Sequence, residues 1–361
     1  MNRTWNFYAG PAVLPQAALE RAKADIPNWA GTGMSVMETS HRSAEYDAVH
    51  QEAISLMKSL LGLDDDHEVL FIQGGASLQF AMLPMNFIPH GGSADYVITG
   101  SWSQKALKEA KIVASARAAA SGEDNGFTSI PEPSAYDLDP QAAYVHLTSN
   151  NTIKGTQFHS FPDTGEVPLV ADMSSDILWR PFDANRFHLI YAGAQKNIGP
   201  SGVTIVIIRK SWLEKANSDL PTMLRYATFV EKESLYNTPP TFAIYMVRNV
   251  LEWVRDEGGL EAMERRNRAK GDRLYGVIEA HPTFYSCPVE KSSRSYMNVV
   301  FRLPNEELEA KFVAEAKAAD MVGLKGHRSV GGCRASIYNA MPQEGVDALA
   351  AFMEEFARRN G

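Results

Sequence analysis

The residues that could carry chemistry sit at the ends of short apolar runs. Lys196 follows His188–Ala192 (HLIYA) and opens a glycine-rich reversal, Asn197-Ile198-Gly199-Pro200-Ser201-Gly202, before the next run, Val203–Ile208 (VTIVII). Most lysines are solvated surface charges. One hemmed in by small and apolar residues between two buried-looking strands is desolvated, which lowers its pKa and makes the amine nucleophilic. Asp172 stands 24 residues earlier, directly after Val167–Ala171 (VPLVA). That interval fits a strand end, a connection and one further strand, so both residues reach one sheet edge. A carboxylate there is poorly solvated and needs a partner; because Ser174 and Ser175 follow, a helix N-cap accounts for it equally well.

Three more strand ends carry polar or aromatic residues. Gly74-Gly75-Ala76-Ser77 lies between the run Glu68–Ile72 (EVLFI) and an apolar helical stretch, Leu78–Asn86. Two glycines let the backbone approach a ligand, and the N–H groups at a helix start attract an anion; the plain alternative is a tight turn with an ordinary cap. Trp102, after Asp95–Thr99 (DYVIT), offers an indole for stacking on a flat ligand or for packing. Thr152 follows Ala143–Thr148 (AYVHLT) in what is otherwise a polar loop. A phosphate cup, an aromatic plate, a carboxylate and a strand-end lysine together are the fittings for pyridoxal phosphate. The lysine would form the Schiff base, and the aspartate would keep the pyridinium nitrogen protonated so that the ring acts as an electron sink.

Two His-Arg dipeptides, His41-Arg42 and His327-Arg328, and Arg334 in a Gly-Gly-Cys-Arg turn suggest anion sites. A formal charge of −8 repels a polyanionic substrate at long range, so local positive charge is needed to bind one. Arginine is the favoured bidentate ligand of carboxylate and phosphate.

The elements that must position these residues are an alternation of strands and helices from about residue 68 to 210. Several strands are continuous apolar runs, as in a mostly parallel sheet covered on both faces. Gly100–Ser103 reads as a turn and Gln104–Val113 as a helix. Beyond residue 240 the pattern becomes α+β: helices over Thr241–Asp256 and Leu260–Ala280, a strand-like Ser295–Leu303, and helices over Glu306–Ala319 and Gln343–Asn360. In open α/β sheets ligands bind beyond the carboxyl ends of the strands, which is where the candidates lie.

With 361 residues the chain can bury a full core without disulfides or metal. Cys287 and Cys333 are too few for a disulfide framework or a four-cysteine zinc site. The start MNRTWNFYAGP carries no apolar segment of the secretory kind, and VTIVII is far too short to cross a bilayer. The acidic balance argues against general nucleic-acid binding. The expectation is a cytoplasmic enzyme without membrane or nucleic-acid partners.

The chain resembles the phosphoserine aminotransferases, a branch of the fold-type I, pyridoxal-phosphate-dependent class V transaminases. The resemblance is carried by Asn6-Phe7-Tyr8-Ala9-Gly10-Pro11, Ser40-His41-Arg42, Gln73–Ser77, the Lys196 segment and Gly326–Asn339, and covers nearly the whole chain. It implies an α/β large domain with a mostly parallel mixed sheet over residues 14–262. It also implies a smaller α+β domain from residues 1–13 and 263–361. By the same resemblance, Ala76, Ser77 and Gln195 bind the cofactor phosphate, Trp102 stacks on the ring, and Thr152 contacts its hydroxyl side. Asp172 pairs with the ring nitrogen and Lys196 forms the covalent link. Asn237-Thr238, a polar turn before Pro239-Pro240, would reach the cofactor phosphate of a partner subunit in a homodimer. Arg334 is assigned to the substrate α-carboxylate, and His41, Arg42, His327 and Arg328 to the side-chain phosphate or glutamate γ-carboxylate. Some relatives have an arginine where this chain has Ser77, so here the distal anion must rest on other bases.

The implied reaction moves the amino group of L-glutamate to 3-phosphohydroxypyruvate, giving O-phospho-L-serine and 2-oxoglutarate in serine biosynthesis. The 4-phosphohydroxy-L-threonine pair of vitamin B6 synthesis is compatible with the same site. A class V transaminase acting on alanine or serine with glyoxylate would not need two His-Arg pairs. A cysteine desulfurase would use Cys333, whose plain reading is an apolar filler beside Arg334. A non-catalytic binding protein on this fold would be expected to have lost Lys196 or Asp172.

Overall fold

The computed structural model describes residues 3–361; residues 1 and 2 of the expected small domain lie outside the described residues. Strand β1 (Trp5–Asn6) stands apart from the central sheet. That sheet has seven strands: β2 (His67–Gln73), β3 (Ser93–Ile98), β4 (Ser115–Ser121), β5 (Val145–Thr148), β6 (Leu169–Asp172), β7 (Leu189–Gly193) and β8 (Val203–Arg209). Their order is β2-β8-β7-β6-β5-β3-β4. All neighbours are parallel except β8, which runs antiparallel to both β7 and β2. The reason lies in the connection after β7. The reversal that carries Lys196 is too short for a crossover, which takes a dozen or more residues, so the chain turns back antiparallel.

The apolar runs are buried on both faces. Alternate residues of one strand enter different cores: Val69 and Phe71 join one cluster, Leu70 and Ile72 the other. The first core is closed by Ile244, Val247 and Leu251 of the helix Thr241–Asp256, the second by Phe80, Phe87 and Trp212. β5, β6 and β7 are buried along their whole lengths, which explains why they read as continuous apolar runs rather than alternating ones.

A further core gathers Phe7 and Val13 with Leu274, Phe301, Phe312, Leu349 and Phe356. Here β9 (Asn298–Phe301) pairs antiparallel with β11 (Cys333–Ser336), and β1 pairs parallel with β10 (Met321–Val322). The helix Gly259–Ala280 passes from one core to the other, with Leu260 and Met263 in the first and Leu274 to Ile278 in this one. A continuous helix explains why no Pro/Gly/Ser linker marks the sequence near residue 263. Among the described residues no helix is long and apolar enough to cross a membrane.

Several elements differ from the sequence reading. The helix expected from Gln104 begins at Ser101, so Trp102 sits in its first turn rather than in a preceding loop. The cause is Ser103, whose Oγ accepts from the Thr99 and Gly100 amides and donates to the Gly100 carbonyl, capping the start. β4 escaped notice because its sequence, SARAAAS, lacks the β-branched and aromatic signal of a strand; it forms the sheet edge. The strand-like Ser295–Leu303 shortens to β9, and the short strand β11 gave no run of its own.

Gly100 has a positional reason. A Cβ there would lie 2.1 Å from Asn151 Nδ2. Asn151 cannot give way, because its Nδ2 donates to the Thr99 carbonyl at 2.5 Å and its Oδ1 accepts from the Ile153 and Lys154 amides, both at 3.1 Å. Gly100→Ala should therefore destabilise the fold by about 1–3 kcal/mol, the usual range for overpacking. Urea unfolding followed by circular dichroism would show it; an unchanged midpoint would mean that the Thr148–Lys154 connection yields.

Candidate active site

The carboxyl ends of β5, β6 and β7 lie side by side, with Thr148 opposite Asp172 and Asp172 opposite Tyr191. The loops leaving them surround a cleft with a cavity of about 280 Å³. Ala76, Ser77, Trp102, Thr152, Asp172, Gln195 and Lys196 all line it. His327 and Arg334, far along the chain, complete the wall. Nine of the fourteen residues singled out in the sequence thus meet in one place.

Lys196 follows β7 in the reversal. Its Nζ donates to Thr152 Oγ1 at 2.7 Å and stands 5.5 Å from the Trp102 ring centroid. Burial pushes its pKa down to about 8, against the pull of the Asp172 carboxylate, which favours the ammonium. Asp172 ends β6 and is almost fully buried. Burial raises its pKa, while the Lys196 charge and the Ser174 hydrogen bond pull it back. Its Oδ1 accepts from the Ser174 amide at 2.9 Å, a local turn rather than the first turn of a helix; residues 174–180 form turns and bends. The N-cap alternative is therefore set aside.

The phosphate end is built at the start of the turn Ala76–Leu78. Its first internal hydrogen bond is from the Leu78 amide to the Gly75 carbonyl, so the amides of Ala76 and Ser77 precede it and find no acceptor among the described residues. Such amides suit a phosphate. Two buried polar atoms in the wall also lack a partner, Trp102 Nε1 and Arg334 Nε. Arg334 lies on β11; its Nη1 donates to the Thr152 carbonyl at 3.0 Å, and it forms no ion pair with a carboxylate among the described residues. A largely buried guanidinium without a counter-ion is a receptor for an anion from outside.

The other five candidates stand elsewhere. Arg42, Arg328, Asn237 and Thr238 are exposed and His41 is half-buried, and none lines the cavity. Arg42 Nε donates to His41 Nε2 at 3.3 Å, and His327 Nδ1 pairs with Ser329 Oγ at 2.7 Å. The sequence reading missed Ala9, Gly10, Phe80 and Ser174 as lining residues. Ser174 could have been found from its place two residues after Asp172. Gly10 has no local signal: it matters because the N-terminal segment crosses the Lys196 loop, with the Ala12 amide donating to the Gln195 carbonyl at 2.9 Å.

The family model Aminotransferase class-V matches residues 4–349. The chain belongs to the class V aminotransferases. It is 57% identical to the phosphoserine aminotransferase of Desulfatibacillum aliphaticivorans, over 100% of this chain and 99% of that protein. Its fold superposes on phosphoserine aminotransferase from Bacillus circulans subsp. alkalophilus with a TM-score of 0.98 at 56% identity, covering 99% of both chains. The pyridoxal-phosphate-bound phosphoserine aminotransferase from Trichomonas vaginalis gives 0.93 at 39% identity, over 98% of this chain and 100% of that one. This class V aminotransferase is a pyridoxal-phosphate-dependent enzyme. The free amides, the desolvated amine, the buried carboxylate and the indole face fit that cofactor.

The Lys196 amine captures an aldehyde only when unprotonated. Cofactor uptake by the apo-protein should therefore quicken with pH up to a midpoint near 8 and then level off. In Asp172→Asn the charge favouring the ammonium is lost, so the midpoint should move down. Stopped-flow absorbance from about pH 6 to 10 checks this; a midpoint at the ordinary lysine value of about 10.4 would contradict it.

Proposed function

We propose that this class V aminotransferase is a phosphoserine aminotransferase, reversibly transferring the amino group of L-glutamate to 3-phosphohydroxypyruvate to give O-phospho-L-serine and 2-oxoglutarate. The observation that carries the reading is the convergence of Lys196, Asp172 and an unpaired Arg334 on one cavity, in a chain more than half identical throughout to proteins bearing that name.

Each residue then has a task. Bound pyridoxal phosphate supplies an electron sink for the bonds at the substrate's Cα. Lys196 would hold the cofactor covalently, and its Nζ, once the substrate amine has taken its place, would carry the proton removed from Cα. An amine with a pKa near 8 suits that transfer near neutral pH. Thr152 Oγ1 orients Nζ before it is displaced. Asp172 holds a proton at the ring nitrogen, and its burial keeps that interaction out of water. Ala76, Ser77 and Gln195 hold the phosphate, and Trp102 backs the ring. Arg334 binds the α-carboxylate. The large unit, 14–262, provides the cofactor residues; the small one, 1–13 with 263–361, provides His327 and Arg334.

A homodimer with its sites at the subunit interface accounts for four of the five outlying residues. Met34 and Met37, 46% and 53% exposed, precede His41, and Tyr236, 49% exposed, adjoins Asn237. Large apolar side chains open to water beside polar site candidates suit coverage by a second subunit. In that arrangement His41, Arg42, Asn237 and Thr238 serve the partner's cavity. The desulfurase alternative is disfavoured because Cys333 is 2% exposed and burial pushes its thiol pKa well up, the reverse of a reactive cysteine.

Wild-type holoenzyme should lose its aldehyde-form absorbance on adding O-phosphoserine or glutamate and release no sulfide from cysteine. Arg334→Ala should damage all amino donors alike. Arg42→Ala and Arg328→Ala should lower the ratio of phosphoserine to alanine specificity constants. Removing one partner of a desolvated charge pair costs about 2–5 kcal/mol, roughly thirtyfold to several-thousandfold. An alanine rate falling as far as the phosphoserine rate in the Arg42 and Arg328 variants would favour an alanine- or serine–glyoxylate enzyme.

A further inference from the structure

The cavity wall of one protomer is short of positive charge for its substrate. Beyond Lys196 it contains one arginine, Arg334, which the reading above assigns to the α-carboxylate. The other basic group, His327, is held towards its neutral form: burial comes first, and then the charges of Arg334, Arg328 and Lys105 lower its pKa. Lys105 is the member of that group assigned no role. It lies on the helix Ser101–Val113, one turn beyond Trp102, so the two side chains meet on one helix face. Its Nζ stands 4.4 Å from the centroid of the indole, the same ring that Lys196 Nζ approaches at 5.5 Å. The two amines are therefore no farther apart than the sum of these distances. Lys105 has no carboxylate partner within ion-pair distance among the described residues. Lys108 and Lys111, on the same helix, share its exposure but neither its contact with the wall nor its influence on His327.

We propose that Lys105 is a further specificity-determining residue, which joins the His-Arg pairs in holding the distal anion, phosphate or γ-carboxylate, while Arg334 takes the α-carboxylate. The inference rests on the phosphoserine reading above. A lysine suits the position. Its ammonium is a compact charge on a flexible stem, able to meet a tetrahedral phosphate in one half-reaction and a planar carboxylate in the other. The indole holds the stem near the cavity through a cation–π contact while the charge stays hydrated. Set against a net charge of −8, a cation at the mouth also draws polyanionic substrates inward.

The test uses holoenzyme and single-turnover half-reactions with O-phosphoserine, glutamate and alanine. Lys105→Ala should raise the apparent dissociation constant for phosphoserine, lowering the phosphoserine-to-alanine ratio of specificity constants roughly tenfold and weakening its salt dependence. The limiting rate should stay close to wild type, since no reacting atom is touched. Lys105→Arg should restore most of the ratio, and Lys108→Ala, a matched loss of charge on the same helix, should leave it in place. Absorbance of the bound cofactor confirms that each variant is folded and loaded. A ratio unchanged in Lys105→Ala, or lowered as much in Lys108→Ala, overturns the assignment. If wild-type enzyme turns over alanine as well as it does phosphoserine, the reading beneath the inference fails and the inference with it, a result visible before any variant is made.

Discussion

A carboxylate and an amine share one buried cavity without being each other's hydrogen-bond partner, and the rest of the site depends on that separation. Asp172 is held by Ser174, and Lys196 by Thr152. If the two closed into an ion pair, each would satisfy the other, and neither would be available to a ligand lying between them. Kept apart, both carry the cost of burial: the amine is pushed towards neutrality and the carboxyl towards protonation, each moderated by the field of the other. Desolvation supplies reactivity and the opposite charge limits it.

Holding such groups apart requires a rigid frame, and the frame is polar. Behind Asp172, the Ser149 hydroxyl donates to the Asp172 carbonyl at 3.1 Å and also pairs with Asp176. Asp176 accepts from Gln157 at 3.0 Å, and its carboxyl is raised to about 6 by burial. Asn150 links Ser175 to Asn298 of β9 at 2.8 and 2.7 Å, joining the sheet to the C-terminal part of the chain. Next to Lys196, Asn197 accepts from the Asn339 amide at 2.9 Å. The segment around Asn339 is pinned in turn by Lys270, which is 1% exposed and donates to the carbonyls of Ile337 and Met341 at 2.7 and 3.1 Å. A buried network in which each member has a partner fixes relative position far more sharply than apolar packing, which tolerates sliding. It brings Arg334 to the Thr152 carbonyl from another core, 182 residues along the chain.

Charge is distributed on the same logic. The chain carries a net charge of −8, and the cleft wall holds two strongly basic side chains, Lys196 and Arg334. Arg334 is largely enclosed and forms no ion pair among the described residues, burial and then the charges of Arg334, Arg328 and Lys105 lower the pKa of His327, and Lys105 stands exposed over the Trp102 ring. Under the proposed reading, enclosure would give the α-carboxylate, common to all amino acids, a fixed receptor. Exposure would leave the proposed distal position adaptable, as a site taking a phosphate and a carboxylate in turn requires.

How much of this was legible in the chain follows from where each signal resides. Strand ends are local: the runs before Asp172 and Lys196, the glycines before Ala76 and the reversal after Lys196 are contiguous patterns, and parallel strands must bring their carboxyl ends to one edge. The gathering of those strand-end residues on one cavity could therefore be read directly, as could the long helices Thr241–Asp256 and Gln343–Asn360. Weak local patterns failed: the alanine-rich edge strand β4 and the start of the Trp102 helix, set by a hydroxyl two elements share. The tertiary structure alone decided which distant loops meet. Nothing near Arg334 in sequence says that its guanidinium lies beside Thr152, or that Gly10 passes over Lys196. Nor does anything near His41 and Arg42 say that they stand outside the cavity. These are contacts between segments whose separation along the chain carries no period, and only the packing of the cores against one another sets them.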